Sequence, residues 1–122
     1  MMNPVFQVAL GGALGASARY GVNLGAARMF GPALPWATLA VNLAGSFLMG
    51  LLVAALGRDS AWAPFLLTGL LGGFTTFSAF SLDALVLFER GATGAAAAYI
   101  LGSVGISLAA VMGGLALGRS MF

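Results

Sequence analysis

The chain is 122 residues long, 61% hydrophobic and 7% charged, with a mean hydropathy of +1.04. A water-soluble domain carries roughly a quarter charged residues, so this one has no surface suited to water. It has no cysteine and no histidine, which excludes a disulfide framework, thiol chemistry and the commonest metal ligand and general base. Its net charge of +2 comes from five arginines set against Asp59, Asp83 and Glu89, too scattered for a nucleic-acid surface.

A membrane-crossing helix needs about 20 mostly apolar residues, and four stretches qualify. The whole chain is expected to form one all-α domain, with spans over 5–27, 35–56, 61–88 and 93–117. The first span opens on Met-Met-Asn-Pro, without the basic residues of a signal peptide. It is therefore expected to be retained, although Ala16-Ser17-Ala18 has the small residues of a cleavage site. Arg19 lies deep within this span, where a charge costs at least a few kcal/mol and marks a functional position, such as a vestibule attractive to anions. Links of a few residues (28–34, 57–60 and 89–92) make neighbouring spans antiparallel.

Nineteen glycines need a reason. Gly11/Gly15, Gly21/Gly25, Gly69/Gly73 and Gly114/Gly118 are small-xxx-small pairs that let helix backbones approach closely, either within the chain or between copies. Because four thin helices bury little, oligomerisation is expected. With a cytoplasmic N-terminus, Arg58 and Arg119 lie on one side of the membrane and Arg28 and Arg90 on the other. The positive-inside bias is then close to zero, which allows insertion in both orientations and pairing of opposite copies.

In the second span Asn42 brings an amide with two donors, suited to an anion or to gluing helices. The third contains Gly72-Gly73-Phe74-Thr75-Thr76-Phe77-Ser78-Ala79-Phe80. Two glycines permit a break, Thr75, Thr76 and Ser78 can cap freed backbone groups or face a pore, and Phe77 and Phe80 share a helix face. Irregular backbone in a bilayer is tolerated where it is buried in protein or lines a wet cavity, and broken helices mark ion and substrate sites. In the fourth span Tyr99, Ser103 and Ser107 recur every four residues, a hydroxyl stripe drifting about 40° per step over about 12 Å. No carboxylate precedes Asp59. The polar groups within the spans are donors, and the interior suits an anion.

These residues resemble the Fluc-type (CrcB-like) fluoride channel family over essentially the whole chain. The signatures are Gly11-Gly12, Gly15 and Arg19-Tyr20; Asn42 with Gly45-Ser46-Phe47 and Gly50; Gly69 with Gly72 to Ser78, Phe80 and Ser81; and Tyr99, Ser103 and Ser107. The third is the most specific. The resemblance implies passive, selective fluoride efflux that protects the cell, through an antiparallel, dual-topology homodimer in the inner membrane with two pores, each built by both subunits. Phe77 and Phe80 would present ring edges to fluoride, Asn42 would donate to it, and Tyr99, Ser103 and Ser107 would form its track beside Thr76 and Ser78. The backbone carbonyls of Gly72 and Thr75 from two chains would hold a structural sodium ion. Ala79 stands where relatives usually have threonine, and Asp83 where many have glutamate.

Two other classes are compatible with a small four-span chain. A multidrug exporter would need a carboxylate in the first span, where this chain has Arg19. A non-transporting accessory subunit would need nothing beyond glycine packing and short loops. An enzyme lacks the residues for its chemistry.

Overall fold

A computed structural model describes residues 2–122, all of whose regular structure is helical. Helix α1 spans Pro4–Phe30 and α2 Trp36–Leu56; the third hydrophobic segment is divided into α3 (Pro64–Leu71, π-wound), α4 (Gly72–Phe74) and α5 (Phe77–Glu89), and α6 spans Thr93–Met121. The helices overrun the expected spans at several ends, most at the last, because helical backbone continues beyond the apolar stretch to Arg119 and Ser120. Three segments are long and apolar enough to cross a membrane: Trp36–Leu56, Pro64–Glu89 and Thr93–Met121. Helix α1, with 27 residues, is about 40 Å long, but carries Gln7, Arg19, Asn23 and Arg28 along its length.

Local chemistry sets the helix ends. The Asn3 side chain accepts from the Val5 amide at 2.9 Å, and Pro4 follows at the first turn, where its missing N–H costs nothing. Gly31, Gly57 and Gly91 close three helices at φ of 75°, 79° and 82°, a region that side chains disfavour. Arg90 Nη1 donates to the Ala33 carbonyl at 3.3 Å. The turn after α5 is therefore tied to the turn after α1 at one end of the molecule.

Packing follows two glycine seams. In the first, α1 lies on α3 and α4: a Cβ on Gly11 would strike the Phe65 carbonyl and Leu70 amide, and one on Gly15 the Leu70 carbonyl and Phe74 amide. In the second, α2 lies on α6: Gly50 meets the backbone of Val111 and Leu115, and Gly114 that of Phe47 and Leu51. Gly11/Gly15, Gly69/Gly73 and Gly114/Gly118 thus pack within the chain, whereas Cβ atoms on Gly21 and Gly25 would meet nothing within 4 Å. Among the described residues the buried apolar core is small (Val41, Leu67, Leu71, Phe80, Leu87 and Ala96), while large side chains such as Phe6, Leu101 and Met112 are exposed. An apolar exterior around a glycine-packed interior is what lipid requires, since lipid supplies no hydrophobic drive between helices.

A candidate anion site at the helix break

The third segment breaks two residues later than its glycines suggest. Gly72 is helical (φ −62°, ψ −37°), and Gly72–Phe74 continues the helix. The extended residues are Thr75 (φ −86°, ψ 161°) and Thr76 (φ −155°, ψ 122°). Gly73 is small for a different reason: a Cβ there would lie 2.8 Å from the Gly12 carbonyl oxygen. Doublet glycines that read as a hinge are in fact a contact surface.

What holds the break open is a set of side chains that take over backbone partners. Asn42, on α2, pairs with Thr76 in both directions: Nδ2 donates to the Thr76 carbonyl at 3.0 Å, and the Thr76 amide donates to Oδ1 at 2.7 Å. The carboxamide acts as one rung of a β-ladder. An amide has two N–H groups, and one of them is committed to Thr76. Thr76 Oγ1 in turn accepts from the Ala79 amide at 3.1 Å, capping α5, and lies 3.3 Å from Ser78 Oγ. Thr75 Oγ1 donates back to the Leu71 carbonyl at 2.9 Å.

Arg19 reaches the same place from α1, its Nε donating to the Gly73 carbonyl at 3.1 Å. A cation at the C-terminal end of a half-helix opposes the negative end of its dipole. The deep arginine is therefore neutralised in part by backbone at the break. These substitutions leave two carbonyls without their helical donors. The amides of Thr76 and Ala79 would serve Gly72 and Thr75 in an unbroken helix, and both are diverted, to Asn42 Oδ1 and Thr76 Oγ1. Freed carbonyl oxygens suit a hard cation. No cluster of His, Cys, Asp or Glu suited to a metal exists among the described residues.

Beside the break, α2, α5 and α6 enclose an open pocket of about 360 Å³. Asn42, Thr75, Thr76, Phe77, Phe80, Ser103 and Ser107 all line it. Phe77 and Phe80 stand with ring centroids 5.5 Å apart at 58°, but their surroundings differ: Phe80 is 8% exposed and Phe77 77%. Phe80 also packs on Tyr99, with centroids 5.2 Å apart. Ser103 Oγ is buried and has no hydrogen-bond partner among the described residues. A buried hydroxyl without a partner is costly.

Two expected residues stand off the pocket wall. Tyr99 lies behind Phe80 and donates its hydroxyl to Asp83 Oδ2 at 3.1 Å, while Ser78 is exposed beside Thr76. The pocket also recruits Ser46 and Met49 of α2 and Val111 of α6, which the sequence reading did not select as site residues. Their signal was available: 42, 46 and 49 share one face of α2 at helical spacing.

The pattern has close parallels. The family described as CrcB-like protein, Camphor Resistance (CrcB), matches residues 6–115. A protein of Cereibacter sphaeroides named fluoride-specific ion channel FluC is 62% identical over 120 residues, covering 98% of this chain and 97% of that protein. Proteins of the same name from Paracoccus denitrificans and Agrobacterium fabrum are each 57% identical, over 100% and 94% of this chain and 99% and 95% of their own lengths. Matched over nearly its full length at such identity, the chain belongs to the CrcB-like family.

Proposed function

We propose that this multi-pass membrane protein is a fluoride-specific ion channel, conducting fluoride passively out of the cell and so limiting fluoride toxicity. The relatives at 57–62% identity bear that name. The observation that carries the reading in this chain is the pocket where the Phe77 and Phe80 rings meet the buried, partnerless Ser103 hydroxyl. Ring edges carry partial positive charge and hydroxyls donate, so an anion is received without a full countercharge. Asn42, Thr76 and Ser107 extend this lining, Tyr99 backs the Phe80 ring, and Arg19 with Ser78 lies at the approaches. Nothing in this arrangement calls for enzyme chemistry.

The channel acts as an antiparallel, dual-topology homodimer of four-span subunits in the inner membrane. Phe77, Gly21 and Gly25 are open to the outside of the single chain, and the pocket is open on one side, features that favour completion by a second copy. The Gly72 and Thr75 carbonyls, relieved of their helical donors, are the groups that would hold a sodium ion at the dimer interface. Such an ion would supply fixed positive charge and tie two breaks together.

Fluoride efflux from liposomes holding the purified protein, read with a fluoride electrode against chloride, tests the conduction. Fast fluoride release with negligible chloride release and no proton gradient is expected. Absence of release from folded protein would favour the accessory-subunit alternative. Tags on both termini are expected to report both membrane orientations in one cell population, and a single orientation would defeat the antiparallel dimer.

A further inference from the structure

Ser46 stands on α2 one turn beyond Asn42 and lines the same pocket. Facing it across the pocket is the α6 wall, with Ser103, Ser107 and Val111. The two walls converge at the α2–α6 seam, where a Cβ on Gly50 would strike the Val111 carbonyl. Ser46 and Ser107 therefore oppose each other near the closing end of the pocket, with Met49 and Val111 as its apolar floor. Their setting differs from that of Thr75 and Ser81, whose hydroxyls are turned back on the Leu71 and Phe77 carbonyls at 2.9 Å each.

A small anion binds water strongly, and it leaves water only where several donors replace it together. The α6 stripe alone offers one hydroxyl per helical turn, about 6 Å apart. An ion moving from Ser103 toward Ser107 on that stripe would be left with donors on one flank. We propose that Ser46 is a further fluoride-binding residue of the pathway, donating across the pocket opposite Ser107, so that the ion is held between two helices. A serine hydroxyl rotates freely to do so, and α2 fixes its position because Gly45, the preceding residue, abuts the Thr75 side chain.

This assignment rests on the reading of the chain as a fluoride conductor, and one experiment separates the two. Efflux from liposomes is measured across a range of internal fluoride for wild type, Ser46→Ala and Ser46→Thr. Loss of one hydrogen bond to a charged ligand predicts roughly tenfold slower efflux for Ser46→Ala, with a higher half-saturating fluoride concentration. Retention of the hydroxyl in Ser46→Thr is expected to keep the rate within about threefold of wild type. Wild-type efflux and saturation in Ser46→Ala would overturn the assignment, as would a slower rate with unchanged half-saturation, which would signify a packing role alone. A wild-type protein that releases no fluoride defeats the conduction reading and this assignment with it.

Discussion

The two halves of the third segment are held in opposite ways. The first half, α3 and α4, is wedged against α1 by backbone: glycines at 11, 15, 69 and 73 leave no room for a side chain. The second half, α5, is held by side chains: the Asn42 clasp at its start, Phe80 on Tyr99, and Tyr99 on Asp83. Backbone contact admits no adjustment, so it suits a fixed platform. Side-chain contact leaves donors and ring edges facing a cavity, so it suits a site. The lesson is that this small protein separates rigidity from recognition along one segment, at a junction two residues long.

Substitutions can break that contrast. The largest effect is expected on the backbone-wedged side: Gly15→Ala forces its Cβ into the Leu70 carbonyl, and overpacking of this kind costs roughly 3 kcal/mol. Loss of monodisperse protein on gel filtration would show it; normal yield and thermal stability would mean the seam is softer than described. On the side-chain side, Asn42→Asp keeps the acceptor for the Thr76 amide and loses the donor to its carbonyl. This variant and Phe80→Ile are expected to abolish fluoride efflux, by on the order of a hundredfold or more, while the protein still assembles. Unchanged efflux from both would remove the site from this pocket. A smaller step is Tyr99→Phe, which deletes the bond to Asp83 yet keeps a ring against Phe80; a slowing of about threefold is expected. An effect as large as that of Phe80→Ile would place the hydroxyl itself on the ion path. The smallest is Gly21→Ala, outside both seams of the single chain, expected to shift stability by less than about 0.5 kcal/mol. A disrupted assembly from it would locate an inter-subunit contact there.

Much of this was legible in the sequence, and what was not has a physical cause. Helix content and three apolar spans follow from composition, and the Asn42, Phe77, Phe80, Ser103 and Ser107 positions converge on one pocket as their spacing suggests. The break was visible but misplaced. Glycine permits both a hinge and a close approach, and a single sequence does not distinguish them; the Gly12 backbone opposite Gly73 decides for close approach. Asn42 as a clasp, and Arg19 as a partner of the Gly73 carbonyl, depend on backbone atoms more than 30 residues away that no local pattern announces. Ser46 was passed over because the reading on α2 stopped at the amide and did not follow its face one turn further.

The π-wound stretch over Pro64–Leu71 has a consequence for how this chain tolerates change in length. Each residue of an α-helix turns the chain about 100°, and a π turn accommodates a surplus residue without ending the helix. Deleting one residue there would let the segment relax to an α-helix and swing everything after it by about that angle. Gly73 would leave the α1 face, Thr76 would leave Asn42, and Phe80 would leave the pocket, with every side chain of the site intact. The spacing of the chain at this turn, rather than the identity of any residue in it, is what aims the site.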